Sequence, residues 1–345
     1  MNYQNVALTT PVAALPPNTL DSDELERQLQ PAYQAAGFSP GRLEFMTGIR
    51  QRRLWNPGTR PSDAAAQAGR LALQQAGLAP TAIDALLFCS VSRDCLEPAS
   101  ATYVHHALGL RPDALNFDLS NACLGMASGI VTLAAMVEAG AIRAGLAVAG
   151  ENAGPLLRST VQHLNQARYS RRDFRPHFAS LTIGSAATAV VVARRDLAPH
   201  PLLAAVTLAD TASSQLCQGD GSGGMTDAAA PLMQTDSPEL LQKGVRLAAQ
   251  MWTAFKDITH WHDDTPDLIC THQVGKGHRA LLYDTLHLNP DRDFSTFPFL
   301  GNCGSASLTA TLALAAQERS LPTGARVALL GIGSGINCCG LALQW

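Results

Sequence analysis

NFDLSNACLGMASGI, residues 116 to 130, changes its period halfway along. Up to Ser120 it reads as a short strand. From Leu124 it runs on apolar and small-residue-rich to about residue 142, the pattern of a helix buried on all its faces rather than of a surface helix. Cys123 stands at the joint. A thiol in the first turn of a helix meets free N–H groups and a partial positive charge, both of which favour thiolate. Gly125 leaves room there for a ligand to come close, and a packed core thiol is the plain alternative.

The same design recurs in GNCGSASLTATLALAAQ, residues 301 to 317. In the first half the order is helix 63–77, strand 82–90, strand 114–120, helix from Leu124 and strand 144–152. In the second half it is helix 240–256, strand 266–272, the turn 301–307, helix 309–317 and strand 325–335. Asp84 and Asp267 are 183 positions apart, Cys123 and Cys303 180, and Gly150 and Gly331 181. A near-constant offset of this size means two copies of one α/β unit, with Cys303 expected as the repeat partner of Cys123. The strand 181–194 completes the first copy and Pro199 and Pro201 mark the joint, giving halves 1–199 and 200–345. Alternating strands and helices predict mainly parallel sheets, stacked as five layers α-β-α-β-α around the apolar helices. Residues 153–180 break the repeat and read as an excursion over the surface, either dimer-facing or substrate-covering or merely solvated.

A chain of 345 residues with 46% apolar and 15% charged residues has ample core, and a net charge of −3 gives no pull toward nucleic acid or anionic membrane. The N-terminus lacks a secretion signal and Glu138 interrupts the longest apolar run, so a cytoplasmic protein with no membrane span is expected. Eight cysteines without a CxxC pair suit a reducing compartment. His260 with His262, or His105 with His106, lack a matching cluster, so no metal is expected.

Symmetric units bring equivalent loops to one interface, so the partners of Cys123 are sought in the second copy. His272 ends a buried strand where Cys89 ends its counterpart, and an imidazole there can hydrogen-bond a thiol and a substrate carbonyl. Asn302 offers an amide donor beside Cys303. Each also has an ordinary structural reading, as a strand-end histidine and a turn-forming asparagine. The turn GIGSGI (331–336) can aim the Ser334 N–H, together with that of Cys123, at an oxyanion. Earlier, VSRDCLEPAS (91–100) sets Cys95 and Glu97 two positions apart after a buried strand, and nothing local chooses between them.

Cys123 in NACLGM, His272 in THQV, Asn302 in GNCGSAS and the terminal GIGSG resemble, in this order and spacing, the thiolase superfamily and within it the ketoacyl synthase III type. RRLW (52–55), SVSRDCLEP (90–98), LCQGDGSGGMTD (216–227) and ALLGIGSGINC (328–338) are similar to the branch that joins two fatty acyl-CoA molecules head to head. The resemblance implies a thiolase-like fold, a homodimer, CoA thioesters as substrates with no further cofactor, and Glu97 reaching into the partner's site. Condensing two plain acyl thioesters requires removal of a weakly acidic α-proton, which decarboxylation of a malonyl group makes unnecessary; a desolvated carboxylate is a suitable base. In that scheme Cys123 carries the acyl group, His272 and Asn302 hold the enolate, and the N–H groups of Cys123 and Ser334 hold the oxyanion.

The family's usual glycine is Ser334 here, and Met46 and Gly275 replace polar CoA contacts of malonyl-using relatives. Arg50, Arg52, Arg53, Lys276 and Arg279 are candidates for CoA phosphates, and a solvated basic face explains them equally. The alternatives are a decarboxylating synthase using malonyl-acyl carrier protein, acyl transfer to an alcohol or amine, and a non-catalytic partner subunit. An acyl carrier protein or a downstream enzyme is a further candidate partner.

Overall fold

The computed structural model describes residues 1–166, 169–219 and 231–345. Residues 220–227 of the LCQGDGSGGMTD stretch lie outside them.

The two copies are visible in the sheet. Strand Ala85–Phe88 runs parallel to Ala144–Glu151, which pairs antiparallel with Ala186–Arg194, which pairs antiparallel with Val6–Leu8. In the second copy Leu268–Thr271 runs parallel to Arg326–Gly333, followed antiparallel by Asn337–Gln344 and His200–Ala209. Pairing of Ala7 with Pro201 and of Leu8 with His200 joins the halves into one path of hydrogen-bonded strands. Each half is thus mixed rather than mainly parallel. In the second copy a short turn joins Arg326–Gly333 to Asn337–Gln344, so the third strand returns antiparallel; in the first copy helix Gly154–Gln166 and the segment after it intervene, and the third strand returns antiparallel there too. Asp84 and Asp267 play matching parts: Asp84 accepts from the Arg143 N–H at 2.7 Å and Asp267 from the Arg326 N–H at 2.9 Å, each at the start of the neighbouring strand.

Five layers result. Helices Gly125–Glu138 and Ser307–Glu318 form the central layer, with apolar side chains facing both sheets. Helices Pro61–Ala76 and Ser100–Leu108 cover the outer face of the first sheet, and Ser237–Thr259 and Lys276–Leu286 that of the second. The alanine-rich face of Pro61–Ala76 lets it sit so close that a Cβ on Gly150 would lie 2.0 Å from the Pro61 carbonyl oxygen. Among the described residues no helix is long and apolar enough to cross a membrane.

Residues 153–180 are more than a surface excursion. Helix Gly154–Gln166 and the turns after Ser170 bury Leu157, Leu164, Phe174 and Leu181 against Leu25, Leu29, Tyr33 and Leu43, making a separate apolar cluster.

Gly125 also departs from expectation, because protein fills the space beside it. A Cβ there would lie 1.9 Å from the Cys89 carbonyl oxygen, and one on Gly129 2.4 Å from the Cys89 sulfur. The two glycines let the Cys123 helix lie on the end of strand Ala85–Phe88. Since the obstacle at Gly125 is backbone, Gly125→Ala is expected to destabilise the protein by about 2–3 kcal/mol, read from urea unfolding midpoints.

Candidate active site

The chain enters the Cys123 turn through Asn121 and then Ala122, which has φ 45°. A non-glycine residue pays about 1–2 kcal/mol for that left-handed backbone, so the surroundings must enforce it. They do so through asparagines. Asn121 Nδ2 donates to Ser128 Oγ at 2.8 Å, while Asn337 Nδ2 donates both to Asn121 Oδ1 and to the Ser334 carbonyl, each at 3.2 Å. Asn337 therefore pins the turn of Cys123 to that of Ser334. The glycines of GIGSG complete the fit, since a Cβ on Gly331 or Gly333 would lie 2.3 Å or 3.0 Å from Leu124 side-chain atoms.

His272 follows strand Leu268–Thr271, its N–H bonded to the Leu330 carbonyl at 3.0 Å, as the Cys89 N–H is to that of Val148 at 2.8 Å. The side chain is buried and Nδ1 has no hydrogen-bond partner. Burial first, and then the nearby His278 ring with its centroid 6.4 Å away, pushes the imidazole down to about 3. A neutral ring with one N–H and one lone pair is the result at physiological pH. Gln273 links this loop to the next part of the site: Nε2 donates to the Thr271 carbonyl and Oε1 accepts from the N–H groups of Thr296 and Phe297.

Asn302 is fixed through its main chain, its N–H donating to Thr182 and its carbonyl accepting from Gly184. Its Oδ1 accepts from the Gly304 N–H at 3.0 Å and from Ser307 Oγ at 3.5 Å. With the oxygen held, the amide Nδ2 is oriented to donate. The turn that follows, Gly304–Ala306, packs against the Cys123 turn, where a Cβ on Gly125 would lie 3.2 Å from Ser305 Cβ.

Register places the repeat partner of Cys123 at Ser305, not Cys303. The turns Ala122–Leu124 and Gly304–Ala306, the helices beginning at Gly125 and Ser307, and the strands ending at Glu151 and Gly333 are all 182 positions apart. Cys303 precedes the second turn and is buried, its sulfur against the Leu300 carbonyl.

The helix terminus does not decide the state of the Cys123 thiol. Burial pushes it up to about 12, with Cys217 and Glu151 adding to the rise, while the backbone N–H pulls the other way. Desolvation wins because the whole charge loses its solvation, whereas a helix end supplies about half a charge. Thiolate then rises tenfold per pH unit below that value. Iodoacetamide alkylation of Cys123 in the free protein is accordingly expected to climb about tenfold per unit from pH 6 to 9 without a plateau. A plateau near neutrality would give the helix terminus the larger part.

Glu97 is exposed in the single chain. It lies on the loop between strand Ala85–Phe88 and helix Ser100–Leu108, in an unusually apolar surface. Val91 is 56% exposed and Leu96 60%, and on the edge strand Leu115–Asp118 so are Leu115 at 50% and Phe117 at 40%. That strand pairs on one side alone among the described residues. Cys95 faces the Pro98 carbonyl at 3.5 Å and the Tyr103 hydroxyl at 3.8 Å.

The basic candidates divide. Arg52 is fully buried, donating to the Leu20 carbonyl and Ser22 Oγ, and Arg279 is paired with Asp293 and lies over Tyr283; neither is available to a phosphate. Arg53 donates to the Pro16 carbonyl. Arg50 and Lys276 are exposed, Lys276 standing over the Phe45 ring at 4.9 Å. Gly275 approaches Thr47 so closely that a Cβ would lie 2.9 Å from its carbonyl oxygen, which sets the start of the Lys276 helix against the segment that leads to Arg50.

Sequence reasoning missed Glu151. It is 4% exposed at the end of an otherwise apolar strand, and it accepts from Val91 N–H at 2.8 Å, Ser92 N–H at 3.0 Å, Ser305 N–H at 3.2 Å and Ser305 Oγ at 2.8 Å. Its signal was the carboxylate closing the buried run AGLAVAGE.

Known proteins resemble this arrangement along the whole chain. Residues 258–345 match the family described as 3-oxoacyl-[acyl-carrier-protein] synthase III C terminal. An acyl-CoA:acyl-CoA alkyltransferase of Shewanella oneidensis is 35% identical over all of both chains. A β-ketoacyl-[acyl-carrier-protein] synthase III of Roseiflexus castenholzii is 27% identical over 96% of each. A cysteine-to-serine variant of Xanthomonas campestris OleA, solved with bound lauric acid and lauroyl-CoA, superposes with a TM-score of 0.93 at 34% identity, covering 99% of this chain and all of that one. With the repeated five-layer fold and the paired turns in place, the chain belongs to the acyl-CoA:acyl-CoA alkyltransferase (OleA) family of thiolase-fold, ketoacyl synthase III-like acyltransferases.

Proposed function

We propose that the protein condenses two fatty acyl-CoA thioesters, without decarboxylation, to a β-ketoacyl-CoA. The full-length match to acyl-CoA:acyl-CoA alkyltransferases carries this reading. The site's chemistry supports it step by step. Cys123 sulfur attacks the first thioester carbonyl, the N–H groups of Cys123 and Ser334 bind the tetrahedral oxyanion, and the C–S bond to CoA breaks as CoA leaves with the thiol proton. On the second acyl-CoA, Glu97 takes an α-proton while neutral His272 and Asn302 Nδ2 donate to the thioester oxygen, on which the enolate charge develops. The enolate carbon attacks acyl-Cys123, the carbon–carbon bond forms, and the departing Cys123 sulfur recovers the proton held by Glu97.

Glu97 acts in this scheme from the partner of a homodimer. The exposed apolar edge around Leu115, Phe117, Val91 and Leu96 supports that pairing, because an uncovered strand edge of this composition favours addition of another strand. In this reading the CoA phosphates are met by Arg50 and Lys276, and the exposure of both side chains supports that role.

The test supplies purified enzyme with lauroyl-CoA, with and without malonyl-acyl carrier protein. Free CoA and a ketoacid or ketone built from two lauroyl chains are expected in both. A product formed only with the malonyl donor, and two carbons longer than the primer, contradicts the reading.

A further inference from the structure

The 182-residue register gives Glu151 a meaning that its burial alone does not. It ends the strand of the first copy and lies against the second turn, where a Cβ on Gly304 would be 3.1 Å from Glu151 Oε1. Its equivalent, Gly333, ends the strand of the second copy and lies against the first turn, where a Cβ would be 3.5 Å from the Leu124 N. Ser305, the equivalent of Cys123, gives both its N–H and its hydroxyl to the Glu151 carboxylate. At Cys123 the matching carboxylate is missing because residue 333 has no side chain. One turn is thus filled by an anion from within the protein, and the other is left to an anion formed during reaction.

We propose that Glu151 is a positioning residue, its carboxylate taking at Ser305 the place that the acyl-thioester oxyanion takes at Cys123, and thereby locking the Glu97 loop to the Asn302 turn for condensation. The lock is the set of four hydrogen bonds: two hold Val91 and Ser92, which lead into the Glu97 loop, and two hold Ser305, three positions beyond Asn302. Ser92 Oγ, accepting from the Asn152 N–H at 3.0 Å, fastens the same loop to the residue after Glu151. This rests on the reading of the function above. It predicts that disturbing Glu151 harms the step that uses Glu97 and Asn302 more than the acylation of Cys123.

Glu151→Gln keeps the shape and removes the carboxylate. With lauroyl-CoA, acyl-Cys123 is expected by mass spectrometry at a rate within about threefold of wild type, while two-chain product falls by at least about tenfold, since misplacement of reacting groups by a fraction of an ångström is costly. Glu151→Asp is expected to recover part of the condensation. A second readout is one that packing alone does not move. Of the groups that raise the Cys123 thiol, Cys217 and Glu151, only the second changes, so iodoacetamide should alkylate Cys123 faster in Glu151→Gln and at the wild-type rate in Glu151→Asp. If Glu151→Gln does not fold, Ser305→Ala removes one of the four bonds and reads the same split between steps. Equal loss of both steps, or none, overturns the proposal. A wild-type enzyme that makes no two-chain product removes the functional reading instead. Amide exchange at Val91, Ser92 and Ser305 then decides the lock by itself: faster exchange in Glu151→Gln supports it and unchanged exchange refutes it.

Discussion

Glu97→Ala is expected to leave acylation of Cys123 by lauroyl-CoA intact while two-chain product falls by roughly 10²–10⁴, the usual worth of a positioned general base. The separation follows from where the proton is. No carbon-bound proton moves when Cys123 displaces CoA, so a carboxylate 26 positions away in sequence has no part in that step. The second step cannot begin until the α-proton is gone. Stoichiometric acyl-Cys123 with no condensation, seen by intact-protein mass spectrometry, is the expected observation. Loss of acylation too would mean that Glu97 shapes the pocket instead of serving as base.

Cys123→Ala should abolish both steps. Without sulfur no acyl-enzyme forms, and direct attack of one acyl-CoA enolate on another retains only the contribution of the donors at Ser334, His272 and Asn302. A fall of about 10⁴-fold or more is expected in product formation, with no released CoA above background. Removing a nucleophile leaves neighbours with little to act on, so adding His272→Ala to this variant should cost little more. The fold should survive, because the helix is seated by Gly125 and Gly129 on Cys89 and the turn by Asn121 and Asn337, none of which bonds to the sulfur.

Much of this was legible in the sequence because the deciding patterns are local. The change of period at Cys123 and its echo near residue 305 announced two units and a buried central layer. Strand direction was less accessible: the parallel expectation came from alternating strands and helices, and the third strand of each copy, which reverses, carries the same apolar run whichever way it lies. The identity of two cysteines also misled the register by two positions, since only backbone geometry shows that Gly304 with φ 53°, and not Asn302, matches Ala122. Glu151 escaped because its partners Val91 and Ser305 are 60 and 154 residues away. Residues 153–180 lacked a clear period because their apolar face is completed by residues 25–43. At Cys123 the helix-terminus argument was sound as far as it went, and burial outweighed it.

The central claim is that two subunits together build a site for joining two acyl-CoA molecules. Dimers purified to contain one Cys123→Ala subunit and one Glu97→Ala subunit test it most directly, assayed with lauroyl-CoA alone. If Glu97 serves its partner, one of the two sites in each mixed dimer has both Cys123 and Glu97, and about half of wild-type activity is expected from two inactive parents. If Glu97 acts within its own chain, neither site is complete and the mixed dimer will be as inactive as either parent.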